Sequence, residues 1–171
     1  MSIPEPSINF ATENAILLSF AEPGLNSEEP TLSAEQLQMR IIDLASALRQ
    51  STVADLLIDL VPAPGSLLLV LQDGHRARRV LKAAEKYWAS DLSSRRETRQ
   101  VEIPVFYGGN NGPDLAAVAE HCGLTASAII ERHCAPTYTV SALGFMPGFA
   151  YLTGLDASLA IPRRNTPRNR I

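Results

Sequence analysis

The sequence is poor in several residue types, and each shortage excludes something. Of 171 residues only two are cysteines, Cys122 and Cys134. A small secreted fold held by disulfides carries more, so a reducing cytoplasmic setting is expected. No apolar run approaches the roughly 20 residues that a membrane-spanning helix needs; Leu67–Leu71 is among the longest. Met1-Ser2-Ile3-Pro4-Glu5 places no basic residue ahead of an apolar run, so no secretory signal is expected. Positive charge is in deficit, with 15 Lys and Arg against 18 Asp and Glu, which argues against a nucleic-acid binder. Lysine occurs only as Lys82 and Lys86, so no glycine-rich loop is followed by the Lys-Ser/Thr of a P-loop. Neither Gly-x-Ser-x-Gly nor His-Glu-x-x-His occurs. No residue therefore presents itself as a self-sufficient nucleophile or metal-bound base, which favours a subunit completed by something else.

The rest of the composition is that of a globular chain, 46% hydrophobic and 19% charged. Ser7–Phe10 and Ala15–Phe20 read as strands joined by a turn at Thr12-Glu13-Asn14. Ser33 suits the N-cap of a helix in which Leu37, Ile41, Leu44 and Leu48 fall on one stripe. Val53–Val61 and Leu67–Leu71 read as a hairpin separated by Pro62-Ala63-Pro64-Gly65. A second helix is predicted from about Gly74 to Trp88, with Val80, Ala84, Tyr87 and Trp88 inward. The fold class expected is α+β. A small ββαββα N-terminal domain over residues 1–90 is followed by a linker over 91–100 and a second domain over 101–171. In that second domain Val101–Tyr107 reads as a strand, and Asp114–His121 as a short helix stopped by Gly123. Thr125 caps a helix running to about Cys134, Tyr138–Leu143 is a strand, and the remainder reads as irregular loops.

Three segments have a texture suited to a site. Tyr107-Gly108-Gly109-Asn110-Asn111-Gly112-Pro113-Asp114-Leu115 sits between strand and helix. It is either a tight turn or a loop whose backbone approaches an anion. Gly144-Phe145-Met146-Pro147-Gly148-Phe149-Ala150-Tyr151-Leu152 interleaves glycine with rings, and is either a pocket wall or a bend that fills a core. Residues 161–170 hold Arg163, Arg164, Arg168 and Arg170 with no acid, suited to a carboxylate or phosphate, to a partner protein, or to no more than a solvated tail. His121-Cys122 and His133-Cys134 invite a zinc reading. Adjacent helical residues diverge by about 100°, however, so no metal site is expected, and Cys122 is better read as a small packed hydrophobe.

From Glu102 onward the chain resembles the PxpB family, the B-type subunits of 5-oxoprolinase, also called KipI or allophanate hydrolase subunit 1. The matching stretches are Ile103–Gly109, Gly112–Leu115, Gly123-Leu124-Thr125, His133, Gly144–Leu152, Gly154-Leu155, Pro162-Arg163-Arg164 and Thr166-Pro167-Arg168. The resemblance implies a cyclophilin-like β-barrel as the second domain, here incomplete at the C-terminus because relatives continue for several tens of residues. It implies pairing with 5-oxoprolinase subunits of types C and A in a complex that uses ATP to open 5-oxo-L-proline into L-glutamate, and no activity for this chain alone. Asp114, His133, Arg163 and Arg168 become candidate catalytic residues. Gly108, Gly109, Phe145, Pro147, Gly148 and Phe149 become candidates for binding substrate. Many relatives carry Glu where this chain has Asn110, and Asp114 is the nearest alternative carboxylate. Two other roles go with the family names, a regulatory binding protein that inhibits a sensor histidine kinase and a subunit of an allophanate or urea amidohydrolase.

Overall fold

The computed structural model describes residues 3–20, 32–92 and 99–166. The expected linker lies partly, and Arg168 wholly, outside the described residues. The architecture is mixed α/β with antiparallel sheets. The chain divides into two compact units: Met1–Thr98 with Val140–Tyr151, and Arg99–Thr139 with Leu152–Ile171.

In the first unit, β1 (Ser7–Thr12), β2 (Ala15–Ser19), β3 (Leu57–Ala63) and β4 (Ser66–Leu71) form one sheet in the order β1-β2-β4-β3, every pair antiparallel. Ile16 and Leu18 of β2, with Leu67, Leu69 and Leu71 of β4, are buried at alternate positions, as one sheet face turned to a core requires. That face meets α1 (Ala34–Arg49) and α2 (Ala77–Trp88), which contribute Leu37, Ile41, Leu44 and Leu48, and Val80, Ala84 and Trp88. Each fully buried Leu or Ile here stabilises the unit by about 1.5–3 kcal/mol relative to exposure. Helix α1 starts at a capping box: the Gln36 N–H donates to Ser33 Oγ at 3.2 Å, and the Ser33 N–H to Gln36 Oε1 at 2.8 Å. The Trp88 indole donates to the Pro4 carbonyl at 2.8 Å, and the Arg40 guanidinium lies 5.1 Å above the Trp88 ring.

Two expectations about the β3–β4 hairpin need correction. The strand starts at Leu57, not Val53, because Ser51 holds the preceding chain in a turn. Its hydroxyl donates to the Leu48 carbonyl at 2.8 Å and accepts the Val53 N–H at 3.2 Å, and a short 3-10 turn, Ala54–Leu56, follows. Pro62 does not interrupt the hairpin but pairs with Leu67 inside β3. β3 is an edge strand, where a missing N–H is tolerated. The turn itself is Pro64-Gly65, with Gly65 at φ 64°.

In the second unit, α3 (Leu115–Cys122) and α4 (Ala126–Cys134) pack around Ala119, Ile129 and Leu159, with Leu115, Val118, Cys122 and Leu124 against them. Gly123, at φ 64°, ends α3: its N–H donates to Glu120 O and the Leu124 N–H to Ala119 O, the paired bonds of a Schellman cap. Thr125 caps α4 by accepting the Ala128 N–H at 3.2 Å. The expected strand Val101–Tyr107 is not formed. Val101, Ile103, Val105 and Phe106 are exposed, and no strand pairs with them among the described residues. β-propensity without a neighbouring ladder does not make a strand. The stretch after Leu143, expected to be irregular, forms a hairpin of β5 (Thr139–Leu143) and β6 (Ala150–Thr153), whose Val140–Tyr151 part belongs to the first unit. Among the described residues there is no closed barrel and no helix long and apolar enough to cross a membrane.

Candidate functional site

The glycine-rich loop of the second unit turns tightly. Gly108 and Gly109 take φ 78° and 56°, a left-handed pair that glycine adopts without strain. The Gly112 N–H returns to the Gly108 carbonyl at 3.0 Å, and a Cβ on Gly112 would lie 2.5 Å from the Gly108 nitrogen. The loop delivers Asp114 to the start of α3. The Asp114 side chain does not cap that helix; its Oδ1 accepts from the Arg164 guanidinium in a half-exposed ion pair. Among the described residues Arg164, not one of the two arginines singled out from sequence, reaches Asp114. Arg163 is exposed beside it.

His133 lies in the last turn of α4, held on several sides. The Tyr107 hydroxyl is 2.6 Å from its Nδ1, and the Tyr107 ring meets the imidazole edge-on at 5.7 Å. The Tyr138 ring lies 5.4 Å away, and its hydroxyl donates to the His133 carbonyl at 2.8 Å. Cys134 Sγ is 3.3 Å from the Tyr107 oxygen. The hydrogen bond with Cys134, followed by burial and the nearby Cys134 and Tyr138 charges, pushes the Tyr107 hydroxyl up to about 12. Burial, then Cys134 and Asp156, raise Tyr138. Both phenols therefore stay protonated at neutral pH. Nearby, Asp156 accepts from Ser158 Oγ at 2.7 Å and from the Ser158 N–H at 2.8 Å. Those bonds, aided by Arg132, hold its carboxyl below the usual range. Among the described residues no group of three or more His, Cys, Asp or Glu could hold a metal ion.

Phe145, Pro147, Gly148 and Phe149 lie in the other unit, on the loop between β5 and β6. The Met146 N–H donates to the Gly144 carbonyl at 2.8 Å, a γ-turn centred on Phe145. The Phe149 N–H donates to Met146 O at 3.0 Å across Pro147-Gly148, with Gly148 at φ 81° as this turn demands. The Gly144 N–H then closes the loop on Phe149 O at 3.1 Å. Phe145 is the one described non-glycine residue with positive φ, 69°, and its side chain is 83% exposed. An exposed ring on a strained backbone is a feature expected of functional loops. The rings form a ladder, Phe145 edge-to-face with Phe149 at 5.5 Å and Phe149 with Tyr151 at 5.2 Å.

Candidates read from sequence thus fall into separate groups: Gly108, Gly109, Asp114, His133 and Arg163 in one unit, and the Phe145–Phe149 turn in the other. Sequence reasoning missed Tyr107 as the partner of His133 and Arg164 as the partner of Asp114. Tyr107 heads the glycine-rich loop and Arg164 stands within the arginine run, but nothing in spacing links them across 26 and 50 residues.

Residues 6–171 match the family model for the carboxyltransferase domain, subdomain C and D. The B-type subunit of 5-oxoprolinase from Escherichia coli O157:H7 is 37% identical over 134 residues, 74% of this chain and 62% of that protein. The B-type subunit of 5-oxoprolinase from Haemophilus influenzae is 34% identical over 162 residues, 92% of this chain and 68% of that protein. The crystal structure of TTHA0988 superposes with a TM-score of 0.69 at 34% identity over 92% of this chain and 28% of that one. The chain belongs to the PxpB family of B-type 5-oxoprolinase subunits.

Proposed function

We propose that this chain serves in an ATP-dependent 5-oxoprolinase complex that opens 5-oxo-L-proline to L-glutamate with partner subunits of types C and A. The observation that carries this reading is the family match over residues 6–171, joined to relatives that are named as B-type subunits of 5-oxoprolinase. The chain spans 62% of the length of the E. coli relative; the reaction is proposed for the complex. Hydrolysis of an unstrained lactam needs an activated carbonyl and donors aimed at the oxyanion that develops. The proposed roles are anion holding by Arg163 and Arg168, polar contact through Asp114 and His133, and close backbone approach at Gly108 and Gly109. Phe145 and Phe149, with Pro147 and Gly148 shaping their turn, are proposed to offer ring faces to the methylene edge of a cyclic substrate. The glycine-rich loop does not fit a nucleotide triphosphate as a P-loop does. Its Gly112 N–H is already bonded to Gly108 O, and no lysine follows. No ATP step is derived on this chain.

The test is co-expression of the full-length protein with its candidate C and A subunits, followed by an assay of ATP-dependent glutamate release from 5-oxoproline. Release that requires this chain supports the reading. A stable complex that releases no glutamate sinks it, and failure to form any complex favours a regulatory binding role. Within an active complex, Arg163→Ala and Arg168→Ala are each expected to lower turnover about tenfold or more, as loss of a charge-assisted contact to a reacting anion does; unchanged turnover refutes their role.

A further inference from the structure

We infer that Tyr107 is a positioning residue that holds neutral His133 with its proton on Nε2, so that His133 meets substrate as an N–H donor rather than as a base through Nε2. The Tyr107 oxygen faces two groups, His133 Nδ1 at 2.6 Å and Cys134 Sγ at 3.3 Å, and it has one proton to give. An imidazole nitrogen is a strong acceptor, whereas a thiol sulfur is a weak one and also carries a proton. The order that gives the phenolic proton to the stronger acceptor is Cys134 S–H to the Tyr107 oxygen, then Tyr107 O–H to His133 Nδ1. The reverse order would have Nδ1–H donate to the phenol and spend the phenolic proton on sulfur. Tyr138 fixes the same residue from its backbone side by donating to the His133 carbonyl. With Nδ1 engaged, Nε2–H is the group His133 has left to offer. Such a donor suits an oxygen acceptor, a carbonyl or a developing oxyanion, and cannot accept a proton while the imidazole is neutral.

The tautomer follows from local geometry; its value in turnover rests on the enzyme reading above. The ring nitrogens of His133 are read by long-range proton–nitrogen correlation on the 15N-labelled full-length protein, with His133→Gln assigning its signals among the three histidines. The wild type is expected to show an unprotonated Nδ1 and a protonated Nε2, and Tyr107→Phe, which keeps the ring, to show a mixture of the two tautomers. A wild-type proton on Nδ1, or a tautomer unmoved by Tyr107→Phe, overturns the inference. In the reconstituted complex, Tyr107→Phe is expected to lower kcat about tenfold with little change in KM, the scale seen when the partner orienting a functional histidine is lost. A shifted tautomer with unchanged kcat overturns the positioning role. A wild-type complex without 5-oxoproline turnover overturns the enzyme reading instead, and is told apart because the nitrogen signals need no turnover.

Discussion

Gly74 is glycine for want of space, not for backbone freedom. A Cβ there would lie 2.0 Å from the Glu13 carbonyl oxygen and 3.0 Å from Asn14 Oδ1, the atom that accepts the Gly74 N–H at 2.8 Å. The entry to α2 is thereby docked on the β1–β2 turn, and backbone cannot retreat as the end of a flexible side chain can. Gly74→Ala should cost about 1–3 kcal/mol, the range for forced overpacking. Urea denaturation checks this, and a loss under about 0.5 kcal/mol would show that the contact yields. Tyr107 gives a second residue-scale outcome, in pH. Its folded value is raised from 10.0 to about 12, so the neutral phenol is favoured by folding. Its contribution is complete below pH 10 and is lost as pH climbs from about 10 to about 12. The stability advantage of the wild type over Tyr107→Phe should therefore shrink across that window; an advantage that grew would contradict a folded environment that favours the neutral phenol.

At the scale of elements, regular periodicity was legible and partnership was not. Leu37, Ile41, Leu44 and Leu48 announce a buried stripe, and all four are at most 2% exposed. Ser33 and Gly123 punctuate their helices for reasons contained in a few neighbouring residues. Val101–Tyr107 carries a strand composition as well, but a strand is defined by its neighbour, and composition does not name one. Likewise Pro62 breaks a central strand but sits in an edge strand, and edge position is a property of the whole sheet. The candidate site divides the same way: the Gly144–Phe149 turn is written in consecutive residues, whereas the Tyr107–His133 contact joins residues 26 apart. That turn yields a prediction of its own. At φ 69° Phe145 bears strain that glycine would not, and its exposed ring adds little to packing. Phe145→Gly should leave stability within about 0.5 kcal/mol of wild type or raise it, while lowering turnover of the complex. A marked loss of stability would show that the ring serves the fold, and full activity would remove Phe145 from the site.

At the scale of the molecule, the compact units do not follow the order of the chain. The first gathers residues 140–151 to a body otherwise built from residues 1–98, so a domain boundary drawn along the sequence alone cannot describe it. One buried polar side chain ties that returning segment in. Gln38, on α1 and 6% exposed, donates from Nε2 to the Ser141 carbonyl at 2.7 Å and accepts the Gly65 N–H on Oε1 at 3.1 Å. A single amide thus serves a buried backbone acceptor 103 residues away and a part-buried backbone donor. Gln38→Leu fills nearly the same volume, so its cost isolates the two bonds rather than a cavity. An orphaned buried backbone group costs about 1–3 kcal/mol, and the variant should lose at least about 1 kcal/mol. Because Ser141 begins the run into the Gly144–Phe149 turn, amide hydrogen exchange in residues 140–151 should accelerate more than exchange in β2 or β4. Equal acceleration throughout would mean that the segment opens only with the whole unit and that Gln38 contributes to global stability alone.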